Sequence, residues 1–234
     1  MDPPPPQFVY RGCKGSVTCL AAYKDLFISG DSTGHIYIWD RKTKRRRLEW
    51  NAHHSASVLH IAVFKSNYDN MSDDSEQSIR IVSQGRDHIV RVSRINLKKW
   101  NRETVLKFPH KSMSFCRFDL LDFEESLSKE NVENFDPVIP LGHILVVPSS
   151  DSSFDLLHLK DSTSTLHTGI APFKDEQRGT VTCLKLLSQS AHGDVFVAAG
   201  YESGHLTIWK ASPSNQIGCI VTVACFKEPG KFLL

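Results

Sequence analysis

Ser, His and Asp side chains, which together carry out nucleophilic hydrolysis in many enzymes, occur near one another in this sequence. Ser83 and Asp87 fall in the segment SQGRD, and His53 and His54 precede it. A hydrolase holds its serine at a sharp turn between a strand and a helix. The segment GDSTGH, Gly30–His35, instead reads as a turn between two strands, without the helix and lysine of a phosphate loop. We therefore expect structural roles for these side chains and no catalytic residue.

Cysteine and histidine spacing does not predict a metal site. No CxxC pair occurs among the six cysteines, and His53, His54 and His60 lack companion ligands at the spacing of zinc sites. Cys19 and Cys183 occupy the same position in two similar segments, which favours small thiols in a core. We expect neither a metal ion nor another cofactor.

The elements that carry these residues form an internal repeat. The segment VTCL is followed by a glycine turn and an Ile-Trp pair at residues 17–39, and again at residues 181–209. Apolar and polar residues alternate in GHIYIW and GHLTIW, which is the period of a β-strand. Each copy therefore predicts one small sheet.

Two weaker copies lie between the outer ones. SVLHIAVF at residues 57–64 leads to IVSQGRDHIVRVSR at 81–94, and SFCRF at 114–118 leads to HILVVPSSDSSFDLLHL at 143–159. In these copies Ser93 and Leu157 stand where the outer copies have tryptophan.

Strand–turn–strand units of roughly 40 to 60 residues are typical of β-propeller blades, each a four-stranded antiparallel sheet. We predict an all-β chain with a Pro-rich tail at 1–6, propeller blades across 7–226 and a C-terminal tail at 227–234. The four predicted blades span residues 12–50, 51–105, 106–165 and 166–226.

A literal WD dipeptide at Trp39-Asp40 makes the chain resemble the WD-repeat family. The tighter resemblance is to the G-protein β-like protein 1 group, which includes fungal ASTRA-associated protein 1. The motifs that carry it are PQFVYRG (6–12), SQGRD (83–87), FCR (115–117), VPSSDSS (147–153) and AGYESGHLTIW (199–209).

The resemblance implies a WD40 propeller of seven blades, of which this chain supplies four. We therefore expect an incomplete propeller that forms an open arc, with the strand-like segment Gln7–Arg11 left without a place in the last sheet. Apolar sheet surface left uncovered in this way favours association and poor solubility.

In WD blades of this kind, a turn His, a strand Ser or Thr, a turn Asp and a strand Trp are linked by hydrogen bonds, since buried polar groups must be paired. The resemblance assigns such structural roles to Trp39, Asp40, Ser83, Asp87 and Trp209. His53 or His54 would supply the histidine of the second blade.

The function implied by the resemblance is that of a noncatalytic adaptor. It would work with the chaperone components Tel2, Tti1 and Tti2 in the maturation of phosphatidylinositol 3-kinase-related kinases. Blade topology suggests partner-binding positions at Asp31, Arg86, His88 and Tyr201. The alternative is a G-protein β-like signalling subunit, which would need an N-terminal helix with heptads, whereas this chain passes from prolines into strand-like residues.

Composition constrains the partners only weakly. The chain has 234 residues, a net charge of +2 and 40% hydrophobic residues, so no overall field selects nucleic acid or an anionic membrane. Neither a signal peptide nor 18 consecutive apolar residues occur. We expect protein partners, no small-molecule substrate, and a cytoplasmic or nuclear location.

Three local segments leave alternatives open. The basic run RKTKRRR at 41–47 is a solvated sheet edge or a nuclear import signal, and nucleic-acid binding is disfavoured because no aromatic residues interleave with the cations. The polar insertion at 66–78 predicts a surface loop. The insertion at 119–140 predicts a short amphipathic helix that packs on its own blade or binds a partner.

Overall fold

The computed structural model describes residues 8–65, 78–122, 143–159, 164–171, 178–189, 194–211 and 217–225. Four predicted segments lie wholly or mostly outside the described residues: the Pro-rich tail at 1–6, the predicted surface loop at 66–78, the insertion at 119–140 and the C-terminal tail at 227–234.

The described residues form β-strands and no helix. They belong to four antiparallel sheets, each made of four strands in chain order, which we call blades 1 to 4. The prediction of an all-β chain with four propeller blades is confirmed.

The bounds of the strands in blades 1 and 2 are β1 Val17–Tyr23, β2 Leu26–Asp31, β3 His35–Asp40, β4 Arg45–Asn51, β5 Val58–Lys65, β6 Ser78–Gly85, β7 Ile89–Asn96 and β8 Asn101–Pro109. Those in blades 3 and 4 are β9 Asp119–Asp122, β10 His143–Pro148, β11 Phe154–Leu159, β12 Ser164–Ile170, β13 Val181–Gln189, β14 Asp194–Tyr201, β15 His205–Ala211 and β16 Ile217–Ala224.

The chain divides into two compact units near the end of β8, one holding blades 1 and 2 and the other blades 3 and 4. In the first unit the apolar face of blade 1 packs on blade 2. Ile28, Ile36 and Ile38 of blade 1 share a buried cluster with Val58 and Ile81 of blade 2. These β-branched side chains suit a pleated sheet that is buried on its face.

The second unit has an equivalent core between blades 3 and 4. Ile144 and Phe154 of blade 3 share a buried cluster with Val181, Leu184 and Trp209 of blade 4. The rings of Phe154 and Trp209 meet edge to face with centroids 6.2 Å apart. Each unit is thus two sheets packed face to face around one core.

The prediction for the inner strand of blade 3 is wrong. SFCRF at 114–118 forms no strand, and β9 lies within the segment that was assigned to an insertion. Ser114 Oγ accepts a hydrogen bond of 3.2 Å from the Cys116 amide, and such local bonds compete with strand pairing. Leu120 and Leu121 pair with β10 instead.

Residues 8–16 belong to no described strand. This agrees with the expectation that the segment Gln7–Arg11 does not pair with the last sheet. Tyr10 packs against blade 1, with its ring centroid 6.1 Å from that of Phe27 and 5.6 Å from that of Trp39. Aromatic packing, rather than backbone pairing, holds this segment.

Candidate protein-interaction surface

His53, Ser83, Asp87 and Arg91 form a hydrogen-bonded network in blade 2. His53 Nε2 lies 2.9 Å from Ser83 Oγ, and His53 Nδ1 lies 2.8 Å from Asp87 Oδ1. The Arg91 guanidinium donates a bond of 2.6 Å to Asp87 Oδ2. Of the two histidines that the sequence offered for this role, His53 and not His54 connects Asp87 in the β6–β7 turn to Ser83 in β6.

Electrostatics in this network favour a fixed protonation state. Burial lowers the pKa of His53, so the imidazole is neutral. Burial alone would raise the pKa of Asp87, but the hydrogen bonds from His53 and Arg91, together with the positive charge of Arg91, outweigh it and hold that pKa at about 2. The serine, histidine and aspartate therefore act as a structural cross-brace.

Asp31 has a comparable role in blade 1. Its carboxylate accepts hydrogen bonds from the Tyr37 hydroxyl at 2.8 Å, the His35 amide at 3.0 Å and the Gly15 amide at 3.0 Å. Burial would raise its pKa, but bonds from Thr33 and these donors lower it to about 2. Asp31 therefore closes the β2–β3 turn.

Two of the predicted partner-binding positions do not fit the structure. The side chains of Asp31 and Tyr201 are fully buried, because both residues end the second strand of their blades and face inward. Arg86 is exposed and His88 is half-buried in the turn between β6 and β7, where His88 adopts a φ of 59°. Partner binding by Arg86 and His88 stays a prediction.

The tryptophans of the outer repeats are anchored inside their sheets. Trp39 Nε1 donates to Ser29 Oγ at 2.9 Å, and Trp209 Nε1 donates to Thr207 Oγ1 at 3.0 Å. Asp40 of the WD dipeptide accepts a bond from the Thr43 amide at 2.9 Å and thereby shapes the β3–β4 turn. All three residues serve the blade rather than a ligand.

The letters G-x-S-x-G do occur at residues 30–34, where a nucleophile elbow would place Ser32. The segment joins β2 to β3, and the Gly34 amide donates to the Asp31 carbonyl at 3.2 Å. Ser32 Oγ accepts a bond from the Ser16 amide at 3.1 Å. This serine lies in a strand-to-strand turn, which is not the setting of an activated nucleophile.

Acidic neighbours contact much of the basic run at 41–47. Lys42 Nζ lies 2.6 Å from Asp25, Arg46 lies 2.8 Å from Glu49, and Arg47 lies 2.7 Å from Asp40. The run covers the β3–β4 turn and the start of the outer strand, as expected of a solvated sheet edge.

An open pocket of about 420 Å³ lies in the second unit, where blades 3 and 4 meet. Its lining residues are Met113, Ser114, Phe115, Cys116, Asp151, Thr180, Thr182 and Glu202. Three of the motifs that carry the family resemblance converge here, because Phe115 and Cys116 belong to FCR, Asp151 to VPSSDSS and Glu202 to AGYESGH.

Hydrogen bonds fix the loops that form the pocket. The Asp151 carbonyl accepts a bond of 2.7 Å from the Val181 amide, and its carboxylate accepts one of 3.4 Å from the Met113 amide. Glu202 Oε2 accepts a bond of 3.0 Å from the Thr180 amide. The rim is thus pre-organised rather than loose.

The pocket combines exposed apolar side chains with negative charge. Met113 is 73% exposed and Phe115 is 66% exposed. Asp151 and Glu202 add two carboxylates, and no basic residue is among the described residues that line the pocket. Cys116 is buried at its floor, and burial raises the pKa of its thiol to about 12. The pocket thus presents apolar surface beside negative charge, and the described residues that line it include no activated nucleophile.

In the part of the chain that the structure describes, His, Cys, Asp and Glu side chains do not cluster in any group that could hold a metal ion. None of the six cysteines forms a disulfide, and Cys183, which was expected in a core, is exposed. Within the same residues, no helix has the length and apolar character to cross a bilayer.

Two curated proteins illustrate what this chain is similar to. The chain is 25% identical over 235 residues to Guanine nucleotide-binding protein subunit beta-like protein 1 of Mus musculus, covering 97% of the chain and 62% of that protein. It is 24% identical to ASTRA-associated protein 1 of Aspergillus niger, covering 92% of the chain and 52% of that protein. With its four blades and these relatives, the chain resembles WD-repeat proteins.

The chain spans between about half and three-fifths of the length of the curated relatives it matches. No protein-family model matches its sequence. The crystal structure of the computationally designed Ika4 protein superposes with a TM-score of 0.51 at 19% identity, covering 86% of this chain and 94% of the designed one. That likeness concerns the fold alone.

The sequence alone did not predict this pocket. Met113, Asp151 and Glu202 come from three separate loops, and only the fold brings them together. One feature of the sequence pointed to the pocket. The motifs FCR, VPSSDSS and AGYESGH carry the family resemblance and lie partly in turns, where the fold does not demand particular side chains and a functional role is therefore favoured.

Proposed function

We propose that the chain is a noncatalytic scaffold that binds a partner protein in the pocket lined by Met113, Phe115, Asp151 and Glu202. The observation that carries this proposal is the exposure of Met113 and Phe115 at an acidic rim whose loops are hydrogen-bonded to one another. Large apolar side chains grouped at a rim of polar groups are typical of protein-binding sites.

The chemistry of the pocket favours a protein segment over a small molecule. Methionine and aromatic residues are enriched in protein interfaces, and methionine adapts to irregular partner surfaces. The carboxylates of Asp151 and Glu202 would attract a basic residue of the partner and orient it. The proposed ligand is therefore an apolar segment that carries lysine or arginine.

The names of the fungal relatives support a place in an ASTRA-type assembly, because those proteins are called ASTRA-associated protein 1. The partners we propose within it are the kinase-maturation chaperone components Tel2, Tti1 and Tti2, in the cytoplasm or nucleus. No chemical step is assigned to the chain, since His53, Ser83 and Asp87 serve as a brace and the Cys116 thiol is inert.

A G-protein β-like signalling subunit is the second candidate, because the name of the mouse relative contains that description. The two functions differ in the proteins that bind. A signalling subunit would hold a γ chain and an α subunit, whereas a maturation scaffold would hold large chaperone components.

Affinity capture of the tagged chain from cells, followed by quantitative mass spectrometry, tests this proposal. We expect Tel2-type or ASTRA components to be enriched and to be lost with Phe115→Ala. Phe8→Ala is the matched control, because Phe8 is an exposed phenylalanine of the N-terminal segment and does not line the pocket. Stoichiometric recovery of a γ subunit without these components would favour the signalling function instead.

A further inference from the structure

Three hairpin turns of the first unit lie at one end of blades 1 and 2. Asp40 pairs with Leu26 at the start of β2 and with Arg45 at the start of β4, which places the β1–β2 and β3–β4 turns of blade 1 at the same end. The β7–β8 turn of blade 2 joins them, because the Arg47 guanidinium lies 5.4 Å from the centre of the Trp100 ring. These turns lie beyond the strand ends and not on a sheet face that packs against a blade.

The turns carry an excess of positive charge. Lysine or arginine fills positions 41, 42 and 44–47 of the β3–β4 turn and the adjoining outer strand, and all of these residues are exposed. Lys24 in the β1–β2 turn and Lys98 and Lys99 in the β7–β8 turn are also exposed. The carboxylates in the same segments are those of Asp25 and Asp40. We call these three turns with the start of β4 the basic turn surface.

The two carboxylates show how this surface binds an acid. Asp25 is shared between Lys42 at 2.6 Å and Arg41 at 3.7 Å. Nε and Nη2 of Arg47 both donate to Asp40 Oδ2, at 3.1 and 2.7 Å. Charge-assisted bonds of this kind are the stronger hydrogen bonds of proteins.

Other cations of the basic turn surface keep their charge uncompensated. Lys24 Nζ lies 5.5 Å from the centre of the Tyr23 ring, and Lys44 Nζ lies 4.9 Å from that of the Phe8 ring. Neither lysine nor Arg45 forms an ion pair with a carboxylate of the described residues. Further carboxylates can therefore bind here without displacing those already present.

The backbone of the turns holds these side chains in an unusual conformation. Lys24 and Lys44 have φ values of 50° and 56°, and Trp100 has a φ of 51°. Residues other than glycine, asparagine and aspartate rarely adopt this region. Each turn thus keeps a cation or an aromatic ring where glycine would cost less, and backbone strain of this kind concentrates at functional sites.

An acidic protein segment fits this surface better than a nucleic acid. The rings of Tyr23, Phe8 and Trp100 each lie under a cation of the surface, and Trp100 also packs against the core of the first unit. The rings are therefore poor platforms for stacked bases. Asp25 and Asp40 interrupt the cations and would repel a continuous phosphate backbone, whereas a protein segment can place its carboxylates between them.

We propose that the basic turn surface binds a segment of a partner protein that is rich in aspartate and glutamate. The carboxylates of the segment pair with Lys24, Lys44 and Arg45 of blade 1 and with Lys98 and Lys99 of blade 2. None of these residues lines the pocket of the second unit. The scaffold thus has a second interaction surface, of opposite charge, and this proposal does not rest on the first.

Fluorescence anisotropy of a labelled decaglutamate peptide, titrated with the 234-residue chain, tests the proposal. We expect binding at low salt that weakens as salt is raised, because exposed ion pairs are screened. The double variant Lys24→Asn/Lys44→Asn should weaken binding by about threefold or more. Because asparagine tolerates a positive φ, its melting temperature should not fall. Lys98→Gln/Lys99→Gln should also weaken binding, since the surface spans both blades.

Matched controls separate this surface from charge in general and from the pocket. Lys107→Gln/Lys111→Gln removes the same charge from exposed lysines near the far end of β8 and beyond it, and should leave the affinity for the peptide unchanged. Phe115→Ala alters the pocket and should also leave it unchanged. An oligothymidylate of equal charge should bind less tightly than the peptide. Absence of peptide binding at low salt, equal losses in the control and turn variants, or tighter binding of the oligothymidylate would each overturn the proposal.

Discussion

The backbone carbonyl of Asp151 accepts a hydrogen bond of 2.7 Å from the amide of Val181. This bond ties the loop after β10 to the first residue of the inner strand of blade 4. Because the Asp151 carboxylate also accepts the Met113 amide, one residue connects the apolar rim of the pocket to the core of the second unit. The pocket is therefore positioned by blade packing and does not need a partner to form.

Removal of the aromatic ring at the rim should reduce partner binding without unfolding the chain. We expect Phe115→Ala to lower the amount of captured partner by about tenfold, as truncation of an aromatic interface residue commonly does. The melting temperature should change little, because Phe115 is 66% exposed. Quantitative capture and thermal denaturation measure the two effects, and equal losses in Phe8→Ala would contradict a specific role for the pocket.

Neutralising the acidic rim should weaken binding in a salt-dependent way. Glu202→Gln keeps an oxygen that can accept the Thr180 amide but removes the charge, so the loop should stay in place. We expect a few-fold loss of captured partner at low salt and a smaller difference at high salt. A loss that is the same at every ionic strength would argue against charge attraction.

The brace in blade 2 should contribute to stability and not to catalysis. We expect Asp87→Ala to lower the free energy of unfolding by about 1 to 3 kcal/mol, since it leaves His53 and Arg91 without their shared acceptor. Asp25→Ala breaks only surface ion pairs with Lys42 and Arg41 and should cost much less stability than Asp87→Ala. Denaturant titration measures both, and a hydrolase activity lost in a variant that melts normally would disprove the structural role.

Acid should destabilise the chain in two windows. Burial lowers the pKa of His53 below its ordinary 6.5, so the unfolded chain takes up a proton first and stability falls as pH drops below that value. Asp31 has a pKa of about 2 against an ordinary 3.8, so its contribution is complete above 3.8 and is lost as pH falls toward 2.

Chemical denaturation at a series of pH values should resolve these windows. We expect Asp31→Asn to remove part of the decline between pH 4 and 2, and His53→Gln to flatten the decline that begins near 6.5. Identical pH profiles in the wild type and Asp31→Asn would contradict the hydrogen-bonded role of this carboxylate.

The repeat predicted most of the fold because its signal is local. In β3 and β15 apolar and polar residues alternate after a glycine turn, and this pattern predicts a strand from neighbouring residues alone. Four copies of the pattern therefore predicted the four sheets. The inner strand of blade 3 was placed too early in the chain, at SFCRF (114–118), because the residue pattern of that segment resembles a strand. The local hydrogen bonds of Ser112 and Ser114 that prevent pairing are not visible in that pattern.

The candidate site was predicted less well than the fold. Asp31 and Tyr201 were predicted to be exposed on loops, but both are buried at the ends of strands. The side chain of a strand-end residue can face solvent or the core, and its position in the sequence does not show which. The pocket needs Met113, Asp151 and Glu202 together, which are far apart in the chain and meet only through blade packing.

A photo-crosslinking amino acid placed at position 115 tests most directly whether the pocket is the partner-binding surface. We predict that irradiation of cells will yield a covalent adduct with a Tel2-type or ASTRA component from position 115 and not from position 8, which is also occupied by an exposed phenylalanine. Absence of any adduct from position 115 in a chain that still captures its partners, or equal adducts from both positions, would contradict the account.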